Sequence, residues 1–156
     1  MMTNQDDAPI SSVVRESSLA WHRDVRRALA RGLSSIAAAR AVGPGATHSL
    51  RESAHGIAAV VRRQVAAEDL QLAPVLQSLD AWGPQRKARL DALHEREQAA
   101  VEHALEAEDD ARVLASHLGE SIREIVRVLR LEEKELLDAE LLDDTTTVPG
   151  GGPGQG

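Results

Sequence analysis

The stretch Arg63-Gln64-Val65-Ala66-Ala67-Glu68-Asp69-Leu70-Gln71-Leu72-Ala73-Pro74-Val75-Leu76 decides how this chain is read. With Val61 and Leu79 on either side, its Val65, Leu72 and Val75 recur at helical spacing and form one apolar stripe, and Glu68 falls inside it. Three other segments repeat the arrangement. His22 interrupts Leu19, Leu29, Leu33 and Ile36; His94 lies among Leu90, Leu93, Val101 and Leu105; Glu132 lies among Ile122, Ile125, Leu129 and Leu136. Helical periodicity points all four polar residues inward with the apolar side chains. A buried carboxylate or imidazole without a partner costs several kcal/mol. Four of them, one per helix, offset that cost by sharing protons, by pairing, or by ligating a metal.

The composition supports helices around these stripes. The 156 residues fit one domain, and their apolar content is almost entirely Ala, Leu, Val and Ile, with Trp21 and Trp82 the only aromatics. Ala, Leu, Arg and Glu are strong helix formers. A net charge of −7 argues against nucleic acid, and the pairs Arg26-Arg27 and Arg62-Arg63 suit solvated helix faces. Without Cys there is no disulfide, thiolate nucleophile, iron–sulfur cluster or Cys-type zinc site. The polar, acidic start from Met1 to Asp7 has no signal-peptide character. No apolar run approaches the roughly 20 residues of a membrane helix, so a cytoplasmic protein without a membrane partner is expected.

Breakers divide the chain. Residues 1–9 are expected to be a disordered lead, residues 10–142 the folded domain, and residues 143–156 a disordered Gly/Pro-rich tail. A first helix, capped by Ser11 or Ser12, runs to about Arg40 and stops at Gly43-Pro44-Gly45. Ser49 with Glu52 forms a capping-box pattern for the second, with Thr47 a competing cap; it extends to about Asp80, and Pro74 predicts a kink or an early end near Ala73. The third starts near Gln85, a turn falls around Asp109-Asp110, and the fourth runs from Ala111 to Leu142. Helices of this length with short connections predict an all-α, up-down-up-down antiparallel four-helix bundle. The halves resemble each other: a shift of 64 positions lays Glu68-Asp69 over Glu132-Glu133, and a shift of 72 lays His22 over His94.

The pattern resembles the hemerythrin-like, or HHE cation-binding, family, which carries a His on the first helix, His-x-x-x-Glu on the second, and repeats that layout on the last two. The match runs through Leu19-Ala20-Trp21-His22, Arg63 to Asp69 continuing to Leu76, Leu93-His94 with Glu97 one turn on, and Arg127 to Glu133 continuing to Leu136-Leu137. It spans most of Ser17 to Leu142. The resemblance implies a hemerythrin-like bundle holding one or two iron ions. Where the family has His four residues before each Glu, this chain has Gln64 and Val128. The remaining candidate ligands are His22, Glu68, His94, Glu132 and, as an auxiliary carboxylate, Glu97. Such a set suits a carboxylate-rich site for Fe, Mn or Zn, with a small diatomic or peroxide as its ligand. The competing expectation is a metal-free, degenerate bundle that serves as a regulatory or protein-interaction module, with a protein partner or a second copy of itself. In that case Glu68 and Glu132 pair with Arg26, or His22 with Glu68. Glu133 and Glu135 are expected to face solvent, and His48, His55, His103 and His117 to be surface or structural residues. No substrate pocket is legible, and an enzyme is the weaker expectation.

Overall fold

The computed structural model describes residues 10–142, and the lead and tail expected to be disordered lie outside the described residues. The described residues form four long helices: α1 (Ile10–Val42), α2 (Thr47–Gln77), α3 (Gly83–Ala104) and α4 (Ala111–Glu135). Each packs on its chain neighbour, α1 closes against α4, and α2 approaches α4 across the diagonal. Their side-chain pairings run in opposite chain directions. Arg89, Arg96 and His103 of α3 meet Glu135, Glu124 and Glu120 of α4, while Ser11 and His22 of α1 meet Leu142 and Glu132. The result is an all-helical bundle, and none of its helices is long and apolar enough to cross a membrane.

The apolar core has two parts. One, built on Val25, Leu29, Ile57, Val61, Leu118, Ile125 and Leu129, fills the half nearer the α1–α2 connection. The other, built on Val14, Leu72, Leu76, Leu90, Leu93, Val128 and Leu136, fills the opposite end. His22, Gln64, Glu68, His94, Glu97 and Glu132 are buried along the same helices at positions between the two. On α1 the inward stripe is Val14, Ser18, His22, Val25, Leu29 and Ile36; Leu33, expected within it, is exposed, because Gly32 takes the close approach to Ile57 and Ile122.

Several boundaries differ from expectation. Ser11 and Ser12 lie inside α1, and the Ser11 hydroxyl donates instead to the carbonyl of Leu142, 2.6 Å away. The capping box at Ser49 goes unused, since a 3-10 turn, Gly43–Ala46, feeds directly into Thr47; Gly43 starts that turn at a positive φ of 76°. Pro74 is absorbed within α2, which ends at Gln77 and not at Asp80, with Ser78 bonding back to the Pro74 carbonyl. The turn at Asp109-Asp110 is present, and the Asp110 carboxylate accepts from the Arg112 amide to cap α4. α4 stops at Glu135 and does not continue to Leu142. Leu136 closes the helix as its C-cap, its amide still bonded to the Glu132 carbonyl. Leu136 and Leu137 are both buried, and Asp138 caps a short helical return at 139–142 that buries Leu142.

Gly83 opens α3 against the end of α2, where a Cβ would stand 1.9 Å from the Gln77 carbonyl oxygen. The obstacle is backbone and cannot rotate away. Gly83→Ala is therefore expected to destabilise the bundle by about 1–3 kcal/mol, the usual cost of overpacking. Chemical denaturation checks this, and an unchanged midpoint would contradict the close approach.

Candidate metal centre

The polar layer has its carboxylates on the diagonal helices and its imidazoles on the other two. Glu68 of α2 and Glu132 of α4 lie at the centre, with His22 of α1 on one side and His94 of α3 on the other. His22 Nε2 is 3.0 Å from Glu68 Oε2 and 3.0 Å from Glu132 Oε2. His94 Nε2 is 2.8 Å from Glu68 Oε1 and 3.9 Å from Glu132 Oε1. Gln64, one turn before Glu68, donates to Glu68 Oε1 at 2.6 Å. Glu97, one turn after His94, is wholly buried, and neither of its oxygens has a hydrogen-bond partner. Glu132 Oε1 likewise has none.

All five residues singled out from the sequence meet here. They fall into two groups that could each hold a metal ion: His22, Glu68 and Glu132, and His94, Glu97 and Glu132, the candidate ligand atoms within each lying within 4.8 Å of one another. Glu132 belongs to both. Glu68 touches both imidazoles with different oxygens. The two groups could each accept a cation, and Glu68 and Glu132 reach both.

Two residues that matter to this layer were not expected to. Glu133, expected at the surface, accepts from His22 Nδ1 at 2.8 Å and from Arg26 at 2.6 and 3.0 Å. Arg26 thus pairs with Glu133 and not with Glu68 or Glu132. Asp69 stands 2.9 Å from His94 Nδ1. Each carboxylate holds the outer nitrogen of an imidazole whose inner nitrogen faces the centre, the arrangement that orients histidine ligands in metal proteins. The signal was present in the doubled acids: in Glu68-Asp69 and in Glu132-Glu133 the first residue points inward and the second, about 100° round, reaches the neighbouring helix. Glu135, expected to face solvent, is exposed and pairs with Arg89. The half-to-half likeness fails where it matters chemically. Buried Gln64 and Glu97 have as counterparts Val128 and Val25, both wholly buried.

Electrostatics load this layer with protons. Burial alone would lower His22, but its hydrogen bonds to Glu132, Glu133 and Glu68 raise it well above the ordinary histidine value. Burial opposes the charge of His94 too, and Glu68, Glu132 and Asp69 raise it to about 9. Glu68 resists its burial because both imidazoles donate to it, and its carboxyl lies well below the usual range. Burial and the charge of Glu68 raise Glu132 well above that range, so it keeps a proton. Glu97 is raised by burial and by Glu68 to about 7. Despite its partial burial, Glu133 is held at about 2 by His22 and Arg26. Cations in the centre would take the place of these protons.

No known protein family, curated protein or solved structure matches the chain.

Proposed function

We propose that the chain is a hemerythrin-like bundle protein that holds one or two iron-like ions among His22, Glu68, His94, Glu97 and Glu132, and senses or handles oxygen, peroxide or nitric oxide. Glu97 carries this reading. A wholly buried carboxyl with no well-formed hydrogen bond to either oxygen, only the approach of a Gln64 amide already given to Glu68, is a net cost to the fold, and such groups persist where they serve something else. Its grouping with His94 and Glu132 supplies a use for it.

The donor set agrees. Imidazole and carboxylate together suit iron, manganese and zinc, and no Lys or Arg is among the buried polar residues described. Three carboxyls therefore converge with only two imidazoles to balance them, a deficit that divalent cations make up. With Gln64 and Val128 at the family's other histidine positions, the centre is carboxylate-rich and its proposed role is sensing or handling, not reversible oxygen carriage. A bound iron would supply a redox-active Lewis acid for a small diatomic or peroxide ligand. The chain's own part is to fix both imidazoles through Glu133 and Asp69 and to give up the protons of the ligand atoms to solvent as a cation enters.

The second reading, a metal-free module for regulation or protein contact, draws support from the hydrogen bonds that already join Gln64, Glu68 and both imidazoles. Elemental analysis of protein from iron-supplemented cells separates the two, together with melts of the chelator-treated chain with and without iron. About one or more iron per chain and a raised melting temperature support the centre, since an ion that binds only the folded state must stabilise it. Sub-stoichiometric metal, unaffected by Glu68→Ala and Glu132→Ala, with superimposable melts, decides for the module.

Glu97 offers a sharper test. Glu97→Leu removes an unpartnered buried carboxyl, so the metal-free chain should become more stable by about 1–3 kcal/mol while its iron content falls. A loss of stability in chelator would show that Glu97 supports the fold.

A further inference from the structure

We propose that His103, Glu106 and His117 form a second metal site, for a zinc-class divalent ion, that clamps the connection between α3 and α4. This site is independent of the reading of the bundle centre. His103 and Glu106 end α3 and begin the connection, and His117 follows in the second turn of α4. With Glu120 they make two His-x-x-Glu pairs, His103-Ala104-Leu105-Glu106 and His117-Leu118-Gly119-Glu120. His117 and Glu120 share a face of α4 at that spacing, Glu106 follows directly on the end of α3, and the antiparallel packing of α3 on α4 brings His103 and Glu106 to that face.

Three ligand atoms converge there. Glu106 Oε1 is 3.2 Å from His103 Nδ1 and 3.5 Å from His117 Nδ1, and all three lie within 4.8 Å of one another. A tetrahedral ion bound at about 2.0–2.1 Å holds its ligand atoms about 3.3–3.4 Å apart, so little movement is needed. The two rings are 4.4 Å apart between centroids. On the far side of its ring, His103 Nε2 donates to Glu120 Oε1 at 2.8 Å. That bond holds the ring by Nε2, the carboxylate–histidine arrangement that prepares a metal ligand, and leaves Nδ1, which meets Glu106, as the nitrogen a cation would claim in place of its proton. His117 Nδ1 is buried and has no hydrogen-bond partner.

An ordinary surface ion pair accounts for only part of this. The bond to Glu120 satisfies His103, but it leaves unexplained a buried His117 nitrogen that makes no hydrogen bond and stands 3.5 Å from an oxygen that a second imidazole already approaches. Two imidazoles and one carboxylate leave a tetrahedral ion one position for water, which half-exposed Glu106 keeps open to solvent. His103 lies nine residues after His94, about 14 Å along α3, so the site is separate from the bundle centre. Because Glu106 belongs to the connection itself, ligation ties residues 105–110 to both helices.

Zinc titration of the full chain by calorimetry, paired with thermal melts in zinc chloride, tests the site. The unsubstituted chain should bind one zinc more than either His117→Ala or Glu106→Gln, and only it should gain the corresponding rise in melting temperature. Iron content should be the same in all three. Glu120→Gln should weaken that zinc about 10- to 100-fold, as loss of an orienting carboxylate does. His48→Ala, which removes the exposed His48–Glu52 pair, should change nothing. The proposal is overturned if His117→Ala and Glu106→Gln bind zinc as the unsubstituted chain does, or if His48→Ala removes the equivalent. Circular dichroism of each variant separates lost zinc from lost fold, and Glu106→Gln lies outside the helices.

Discussion

Replacing Glu132 with Gln is expected to empty both metal positions of the bundle centre while leaving the fold intact. Glu132 belongs to both ligand groups, and no other residue does. Its loss should weaken both ions by at least about 100-fold, beyond the range seen when only an orienting partner is removed. The fold should tolerate the change because burial and the charge of Glu68 keep Glu132 protonated in the metal-free chain. A neutral amide of nearly the same shape then replaces a neutral acid, with His22 still in reach of Glu68. Glu97→Gln makes the contrast. Glu97 belongs to one group only, so that variant should keep the ion between His22, Glu68 and Glu132. Elemental analysis across the unsubstituted chain, Glu97→Gln and Glu132→Gln should therefore give a descending series that ends near zero. Full metal content in Glu132→Gln would remove the shared carboxylate from the mechanism.

The metal-free chain should lose stability steadily between about pH 5 and pH 9. His94 carries its proton up to about pH 9 when folded, against 6.5 for an ordinary histidine. Its contribution is complete below pH 6.5 and disappears as pH rises through 9, and the gap is worth about 3 kcal/mol. Glu97 acts in the same direction at lower pH. An ordinary glutamate ionises near 4.5, whereas the folded carboxyl keeps its proton to about 7, so the unfolded chain gains over that window. On the acid side the sign reverses. Glu133, held at about 2, contributes stability above pH 4.5 that is lost as pH falls through 2. Maximum stability without metal should therefore fall at about pH 4.5–5, where Glu133 is ionised and Glu97 has not begun to cost stability. Metal inverts the upper limb, because its ligands must give up their protons and affinity rises with pH. The rise in melting temperature caused by iron should thus be larger at pH 8.5 than at pH 6. Denaturant midpoints of chelator-treated and iron-loaded protein across this range measure both effects. A metal-free chain more stable at pH 9 than at pH 5.5 would contradict the protonated imidazoles.

The expected behaviour of the centre depends on particular residues, and they were not equally legible. His22, Glu68, His94, Glu97 and Glu132 could be placed inward because helical periodicity alone fixes which face of a helix a residue occupies. The phase of an isolated helix is local information, and apolar neighbours one turn away report it. The all-helical class followed from the same periodicity together with the abundance of Ala, Leu, Arg and Glu, all strong helix formers. Leu33 shows the limit even there: it keeps the period, yet close packing at Gly32 gives the inward position to its neighbour.

What a residue meets is another matter. Pairing between helices depends on their relative rotation and on their register along the bundle, and both are set by packing of the whole core. Glu133 looked like a surface acid, and Asp69 was given no role, because one helix cannot show that a neighbour brings an imidazole within 3 Å. Likewise His103 and His117 lie on either side of the turn at Asp109-Asp110, and only the packing of α3 on α4 brought their nitrogens to one Glu106 oxygen. The break after Glu135 has the same origin, since helix propensity favours continuing while the turn lets the chain fold back, burying Leu142 and bringing its carbonyl to Ser11 of α1. The sequence by itself determined the helices and their inward faces, because both follow from contacts one turn apart. Only the tertiary structure decided which carboxylate serves which histidine, because that depends on contacts between residues 25 to 111 positions apart.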